Sequence, residues 1–507
     1  MRRHVLRTAA VAGAIIAAAC VEYAPVTPTA VSTATQTNTA ATPSLQIAAA
    51  ATAPSSGRYL VVFKPGQTAA PEIAAELSAH GGRLEGLHEQ LGFAVVSGIS
   101  TDAAARLAKS NAVSSIEPDV EFAIEPMTDA QALEAIDPGT QSATAPQNAA
   151  LFAWQWNMRA IRADAAWAAG SLGSSSVSVA ILDTGIDYRW PDLSGRVDLS
   201  RSISLRPDED ARQDTWFGAL NLNHITDLNG HGSLVSAVVA SNSIVFAGVT
   251  TRTRLFGVKV CIVFNTCSTA AILNGIVYAV NNGADVINMS LGGAFLKSAN
   301  PGFVSVINSV FNYANSRGTL IVVAAGNSAA DIDHTGNVYF TYCNSPHVVC
   351  VSATGPTAAP ALTGPFTNPD AVAPYTNFGR SAISLAAPGG GISSINVLVA
   401  GPCSQTSLAW HQPPRPSPGA PLPPPVIDGP LCPASDGLFF LLGAGTSFAS
   451  PHVAGVAASL VATMGRGNPS QIRAQLQKTA DDLGAPGTDP FYGKGRLNAG
   501  RAVGAIP

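Results

Sequence analysis

Apolar residues occur along this chain mainly as short uninterrupted runs that end in glycine, aspartate or asparagine. Residues 177–186 and 320–327 are two such runs, rich in valine, isoleucine and alanine. Their length and composition are typical of strands buried on both faces of a parallel sheet. Longer apolar stretches at 234–240 and 447–464 fit buried helices. The alternation of buried strands and helices predicts an α/β fold built on a parallel sheet.

Residues 57–124 have a separate pattern, in which three short apolar strands alternate with two helical stretches. The predicted strands are 58–64, 92–98 and 120–124, and the predicted helices are 69–80 and 101–110. This alternation predicts a small α/β unit of its own. Residues 21–56, rich in alanine, threonine, proline and serine, predict a disordered linker. A second polar segment, 125–149, follows the unit.

Residues 1–20 combine a basic start, an apolar stretch and the run Ala17-Ala18-Ala19 before Cys20. This arrangement is typical of a signal peptide and predicts an exported protein. Bacterial lipoproteins are cleaved just before a lipid-modified cysteine, so a second interpretation attaches the protein to a membrane through lipidated Cys20. Ordinary signal peptidase also accepts these small residues, and the sequence leaves both interpretations open.

Residues 445–455 place Ser447 in a Gly-Thr-Ser turn that opens an apolar helix. A serine hydroxyl becomes a good nucleophile only when a base takes its proton and a donor stabilises the charge that follows. Unpaired N–H groups at a helix start favour such charge. Taken alone, however, a Gly-Thr-Ser turn is typical of an ordinary helix cap.

Three further polar residues lie where predicted buried elements begin or end. Asp183 is at the carboxyl end of the first apolar run, where the sites of α/β sheets gather. His231 stands in Asn-Gly-His-Gly-Ser, 48 residues after Asp183 and 216 before Ser447, and Asn327 ends the run 320–327. Each residue alone would be taken for a cap or turn residue. Together, Asp, His and Ser follow one of the few known orders of a catalytic triad.

With these four segments, the chain resembles the subtilisin-like (subtilase, S8-type) serine peptidases over residues 154–503. Asp-Val-Ile-Asn-Met-Ser-Leu-Gly-Gly at 285–293 and Gly-Lys-Gly-Arg-Leu-Asn-Ala at 493–499 belong to the likeness. The resemblance implies a three-layer α/β catalytic domain, 150–507, around a parallel sheet. It also implies a serine endopeptidase that hydrolyses protein or peptide substrates through an acyl-enzyme.

The resemblance assigns roles to the candidate residues. Ser447 would attack the scissile carbonyl, His231 would take its proton, and Asp183 would orient the imidazole. Asn327 would donate to the oxyanion together with the Ser447 backbone N–H. The substrate would bind as an added strand along Ser290, Leu291, Gly292, Gly293, Ala324, Ala325 and Gly326.

The resemblance implies no cofactor for the chemistry and leaves structural calcium open. Calcium ligands are oxygens of loop carboxylates and carbonyls, and Asp187, Asp192 and Asp227 are the candidates among the loop acids. We expect solvated loop acids rather than ligands at these positions. The sequence therefore leaves the metal ligands unknown.

Residues 57–124, ahead of such a domain, resemble the family's inhibitory propeptide, a ferredoxin-like domain of a self-processed zymogen. The maturation bond is then expected in the linker 125–149, and an unrelated small domain is the alternative. Residues 392–442 form an insertion with two proline-rich runs. Extended polyproline geometry keeps such runs out of a sheet interior. We expect a solvent-facing loop there, and a docking site for a partner is the alternative.

Six cysteines follow Cys20 and fall into close neighbour pairs. Disulfides that close local loops in an exported chain are predicted for Cys261 with Cys267, Cys343 with Cys350, and Cys403 with Cys432. A zinc site is the alternative, disfavoured because no Cys-x-x-Cys occurs.

Two positions differ from the family pattern in ways that concern specificity. Leu234 stands where the family usually has a histidine, so we expect more apolar subsites beside His231. Phe340 aligns with a small residue of the primary pocket, which favours small or medium apolar P1 residues such as Ala, Val or Leu. The alternative is that Phe340 is ordinary core beside the Cys343 and Cys350 loop.

Charge and composition exclude one function class and leave two other functions open. The net charge is −4, from 28 basic and 32 acidic residues, and no basic stripe supports nucleic acid binding. An acyl-transferring relative, such as a macrocyclase, would use the same residues. A catalytically silent binding protein on the same scaffold is the other alternative.

Overall fold

The computed structural model describes residues 47–48, 57–124, 131–132, 144–340, 342–394, 396, 399–403, 406–414, 423–432 and 439–507. The predicted signal peptide 1–20, nearly all of the linker 21–56, most of the segment 125–149 and the centre of the insertion 392–442 lie outside the described residues.

The described chain begins with a two-residue strand, β1 (Ile47–Ala48), and then forms the small predicted unit. The elements of this unit are β2 (Tyr59–Phe63), α1 (Ala70–His80), β3 (Arg83–His88), β4 (Phe93–Ser97), α2 (Thr101–Leu107) and β5 (Val113–Pro118). Its antiparallel sheet has the order β3-β4-β2-β5, which is that of a ferredoxin-like fold. The sequence does not predict β3, because this edge strand buries no residue and lacks an apolar run.

The remainder of the chain alternates strands and helices. Its strands are β6 (Glu121–Ala123), β7 (Gln131–Ala132), β8 (Ser178–Asp183), β9 (Ile203–Ser204), β10 (Arg254–Lys259), β11 (Thr266–Ser268), β12 (Val286–Met289), β13 (Ala294–Leu296), β14 (Leu320–Ala324), β15 (Val338–Phe340), β16 (Val348–Thr354), β17 (Leu385–Pro388), β18 (Val399–Pro402), β19 (Leu408–His411), β20 (Val426–Pro430) and β21 (Phe439–Gly443). Its helices are α3 (Trp156–Ala160), α4 (Ala163–Ala168), α5 (Pro207–Phe217), α6 (His231–Val239), α7 (Thr269–Asn281), α8 (Pro301–Ser316), α9 (Thr446–Met464), α10 (Pro469–Lys478) and α11 (Ala499–Ala502).

Seven of these strands form one parallel sheet, in the order β17-β16-β14-β12-β8-β10-β9. Alternate residues of β8 enter two apolar clusters: Val179 and Ile181 pack with α6 and α9, and Ala180 and Leu182 pack with α7 and α8. Because successive strand residues point to opposite faces, helices cover both faces. The predicted three-layer α/β architecture is confirmed.

Helix α9 is long and apolar enough to cross a membrane by length and composition alone, but 83% of its apolar window is buried. It contacts α6 and the strands β12, β14, β16 and β17. We therefore treat it as the central core helix of the domain.

The strand predicted at 120–124 forms, but outside the sheet of the small unit. Strand β6 pairs antiparallel with β11, so that Phe122 lies opposite Cys267. The Ile124 N–H extends the ladder by donating to the Asn265 carbonyl at 2.7 Å. The last segment of the unit therefore leaves its own sheet and joins the larger domain.

The described ends of the insertion are paired strands rather than the predicted loop, although most residues of β19 and β20 are partly or fully exposed. Strand β18 pairs with β21, and β19 pairs with β20. A Cβ atom at Gly401 would lie 2.4 Å from Leu234 Cγ, so β18 packs directly on α6. Leu234 is fully buried by this contact, and the expectation that it makes a subsite more apolar is wrong.

The cysteines pair as the sequence predicts. Disulfides join Cys261 to Cys267, Cys343 to Cys350, and Cys403 to Cys432. The first connects β11 to the end of β10, and the third joins the segments that flank the β19 and β20 hairpin.

Candidate active site

Asp183 and His231 meet where β8 ends and α6 begins. The His231 Nδ1 atom lies 2.8 Å from Asp183 Oδ1, and both side chains are about 1% exposed. Because a carboxylate accepts, Nδ1 carries the proton and the lone pair of the neutral ring is on Nε2. This close approach requires glycine at position 232, since a Cβ atom there would lie 2.1 Å from the Gly185 carbonyl oxygen.

A second carboxylate, Asp227, holds the loop that leads into His231. Its Oδ1 accepts the Thr184 hydroxyl and the N–H groups of Asn229 and Gly230, each at 2.9 Å. Its Oδ2 accepts the N–H and hydroxyl of Ser233 at 2.9 and 2.7 Å. Asp227 therefore fixes the turn after Asp183 against the start of α6.

The three candidate calcium ligands are buried, so the expectation of solvated loop acids is wrong. Asp187, Asp192 and Asp227 are at most 3% exposed. The Asp192 carboxylate accepts three successive backbone N–H groups, from residues 244–246, at 2.7 to 3.0 Å. Burial nevertheless raises the pKa of Asp192. Among the described residues, no three His, Cys, Asp or Glu side chains gather where they could hold a metal ion.

Ser447 is the second residue of α9, directly after the turn at Gly445. Its hydroxyl donates to the Ser290 carbonyl at 3.0 Å, and the Ser290 hydroxyl donates back to the Ser447 carbonyl at 2.6 Å. The next residue, Phe448, places its ring 5.5 Å from the His231 ring. The serine hydroxyl thus lies in the first turn of α9, and the residue after it packs against the His231 ring.

Asn327 follows β14 and lies against the same turn. Its Oδ1 accepts the N–H and hydroxyl of Thr446 at 2.8 and 2.9 Å, which leaves Nδ2 as a donor group. The Thr446 hydroxyl also accepts the Gly326 N–H at 2.9 Å. Sequence reasoning did not identify Thr446 as a positioning residue, although it lies inside the Gly-Thr-Ser turn that we selected.

The predicted substrate segments lie around this site. Ser290, Leu291 and Ala325 are buried, whereas Gly326 is partly exposed. A Cβ atom at Gly293 would lie 2.4 Å from Phe122 Cγ. Strand β6 therefore runs between β11 and the predicted substrate segment, a pairing that the sequence did not predict. The remaining predicted residues are Gly292, which is partly exposed, and Ala324, which is buried at the end of β14.

His452 is a buried histidine one helical turn beyond Ser447. Its Nδ1 donates to the Phe448 carbonyl at 2.7 Å, and Asn157 Nδ2 donates to its Nε2 at 2.9 Å. Burial lowers the pKa of His452 to about 4. The ring is therefore neutral at neutral pH and fixes α9 to α3.

Comparison with protein families and curated proteins gives one consistent match. The model of the subtilase family matches residues 174–421 and 429–495. Subtilisin Savinase of Lederbergia lenta is 30% identical over 356 residues, which cover 69% of this chain and 98% of that protein. Thermitase of Thermoactinomyces vulgaris is 28% identical over 352 residues, covering 69% of this chain and 95% of the relative.

Solved structures share the fold at lower identity. The epidermin leader peptide processing serine protease of Staphylococcus aureus has a TM-score of 0.62 at 19% identity, over 88% of this chain and 98% of that chain. Fervidolysin of Fervidobacterium pennivorans, described as a keratinolytic enzyme related to subtilisin, has a TM-score of 0.61 at 20% identity. The match covers 89% of this chain and 61% of that chain.

The buried His452 predicts an acid-sensitive fold. The unfolded chain protonates this histidine near pH 6.5, whereas the folded chain does so only near pH 4. The stabilisation is therefore present above pH 6.5 and is lost as the pH falls towards 4, by about 3 kcal/mol in the free energy of unfolding.

Urea unfolding between pH 7 and pH 4.5 tests this, with Ser447→Ala as the background so that the protein cannot digest itself. Adding His452→Gln, which keeps one donor and one acceptor, should reduce the loss of stability over this range. An identical loss with and without His452 would contradict the assignment.

Proposed function

Because the chain belongs to the subtilase family of serine-type endopeptidases, we propose that Ser447, His231 and Asp183 are its nucleophile, general base and orienting carboxylate. The enzyme acts on protein or peptide substrates. The observation that carries the assignment is the buried 2.8 Å contact between His231 and Asp183, with the ring of Phe448, the residue after Ser447, 5.5 Å from the His231 ring.

In the proposed reaction the Ser447 hydroxyl turns from the Ser290 carbonyl towards His231 Nε2, gives up its proton and attacks the scissile carbonyl carbon. The carbonyl electron pair moves onto oxygen, which accepts from the Ser447 N–H and Asn327 Nδ2. Collapse of the resulting tetrahedral intermediate breaks the C–N bond, and the leaving amine takes the proton from His231. Water then hydrolyses the acyl-enzyme by the same proton route, while Asp183 stabilises the imidazolium.

The oxyanion role of Asn327 has support in its surroundings. Thr446 engages the amide oxygen twice, so only the nitrogen end of the side chain can serve as a donor. A Cβ atom at Gly445 would lie 3.2 Å from Asn327 Nδ2, so that nitrogen lies beside the serine turn.

We further propose that residues 57–124 are an inhibitory propeptide of a self-processed zymogen. Strand β6 pairs with β11 beside the candidate site. The Glu117 carboxylate accepts the N–H groups of Gly302 and Phe303, at the start of α8, at 2.6 and 2.9 Å. Asp119 accepts the Ala270 N–H at 2.9 Å at the start of α7. Carboxylates at two helix N-termini are favourable and attach the unit to both helices.

The linker 125–149 is the proposed site of maturation. On its N-terminal side, β6 pairs with β11. Inside the linker, Gln131 and Ala132 of β7 pair with β21, the strand that leads into Ser447. Residues on both sides of 125–130 are thus paired with strands of the larger domain, which supports cleavage by the enzyme itself.

We also propose that the protein is exported. The basic and apolar start of residues 1–20 supports export, as do the three disulfides. Lipid attachment through Cys20 stays an alternative to release of the protein, and globomycin-sensitive processing would distinguish the two.

Replacing Ser447 with alanine should abolish peptide hydrolysis and leave the full-length chain uncleaved. Loss of triad residues in subtilisin itself costs about 10⁶-fold in kcat. The measurement is the mass of the chain, and its activity on casein, after expression in a protease-deficient host. Normal maturation of Ser447→Ala would refute self-processing.

Replacing Asn327 with alanine should lower kcat and change KM little, because the donor acts on charge that develops only in the transition state. The loss known for the equivalent donor of subtilisin is about 10²–10³ in kcat. Steady-state kinetics on one peptide substrate measure it, and the control is Asn282→Ala, whose side chain donates to the Tyr278 carbonyl at the end of α7. An unchanged kcat would mean that Asn327 only terminates a strand and does not stabilise the oxyanion.

The preference for small or medium apolar P1 residues stays a prediction. Phe340 is 5% exposed and lies opposite Ala294, directly after the predicted substrate segment. A series of peptides that differ only at P1 should be cleaved faster with Ala, Val or Leu than with Phe or Tyr, and Phe340→Gly should reverse this order. If Phe340→Gly leaves the order unchanged, Phe340 is ordinary core.

A further inference from the structure

A small hydrophobic cluster joins two peripheral segments to the loops of the site. We call it the side cluster. Leu228, which precedes the His231 loop, is buried in it together with Val263 and Leu408. The partly buried members packed around these residues are Phe217, Phe264, Trp410 and Ile427. Helix α5 and the hairpin of β19 and β20 thus contact the same group of residues beside the site.

The hairpin is attached to the loop of the catalytic histidine by backbone contacts. The Leu408 N–H donates to the Leu228 carbonyl at 2.8 Å. The Thr406 hydroxyl donates to the Asp227 carbonyl at 2.8 Å. The start of this hairpin is therefore continuous with the loop that Asp227 organises.

Phe264 is held between the hairpin and α5. The Trp410 ring meets it edge-on, with ring centroids 5.4 Å apart and an interplanar angle of 77°. The Arg212 guanidinium lies 4.6 Å from the centroid of the Phe264 ring. Both contacts are of kinds that are favourable for an aromatic ring, so Trp410 and Arg212 together restrict this side chain.

The residue after Phe264, Asn265, extends the pairing between β6 and β11. Asn265 has a positive φ of 58°, and its carbonyl accepts the Ile124 N–H at 2.7 Å. Its side-chain oxygen accepts Asn229 Nδ2 at 2.6 Å. The position of the Asn265 carbonyl therefore depends on Phe264 on one side and on the His231 loop on the other.

We propose that the hairpin inside the proline-rich insertion is an outer wall of the substrate-binding cleft, and that Trp410 is a positioning residue for the substrate strand. Trp410 acts through Phe264 to hold the Asn265 carbonyl where the backbone of an extended peptide reaches it. The inference rests on the proposal that residues 57–124 are an inhibitory propeptide, whose strand β6 pairs with β11 where a substrate strand would bind. It predicts that the hairpin favours substrates with several residues before the scissile bond.

Kinetics on two substrates of the matured enzyme test this. The short substrate has one residue before the scissile bond and does not reach β11, and the long one has six. Trp410→Ala should raise KM for the long substrate about tenfold, through misplacement of the strand edge, and should leave kcat/KM for the short substrate within about twofold. Trp410→Phe, which keeps an aromatic edge on Phe264, should restore the long-substrate KM.

Trp216→Ala is the matched control, because Trp216 is 45% exposed on α5 and is not a member of the side cluster. Equal effects of Trp410→Ala on both substrates, or no effect on either, would overturn the proposal. If Trp410→Ala does not fold, Ile427→Ala removes a smaller part of the same cluster and must give the same selective loss. Cleavage of the long substrate by the unmodified enzyme, and its loss in Ser447→Ala, test the proposed catalytic residues separately.

Discussion

The site depends on how closely the start of α6 approaches the end of β8. A 2.8 Å contact between His231 and Asp183 is reached because position 232 has no side chain, where a Cβ atom would meet the Gly185 carbonyl at 2.1 Å. Asp227 then ties both backbone segments together through five hydrogen bonds. A buried carboxylate needs such fixed geometry, because burying its charge is costly unless its oxygens accept hydrogen bonds.

The small N-terminal unit completes its own packing against the larger domain. One face of its sheet buries residues against α1 and α2, and the other face places Leu60, Phe93 and Val95 in the cluster around α7 and α8. Arg58, 2% exposed, is paired with Glu85 and Asp119 inside this contact. If the unit is released on maturation, as we propose, apolar residues of α7 and α8 become exposed to water.

The sequence predicted the parallel sheet because buried strands leave uninterrupted apolar runs, and it proposed candidate residues where such runs end in a polar side chain at the carboxyl edge. Asp183 and Asn327 were found in this way. It could not predict β3, which has no buried residue, or the pairing of β6 with β11, which depends on the docking of two units. The sequence also did not predict the positioning roles of Asp227 and Thr446, since both act through backbone groups whose positions are set only by the tertiary fold.

The most direct test of the account is active-site labelling with a fluorophosphonate, which reacts with an activated serine hydroxyl. Mass spectrometry of the labelled, matured protein should place a single adduct on Ser447. The adduct should be absent in Ser447→Ala and strongly reduced in His231→Ala, whose serine has no base. Labelling that persists in Ser447→Ala, or an unlabelled wild-type protein that is folded and matured, would contradict the proposed catalytic site.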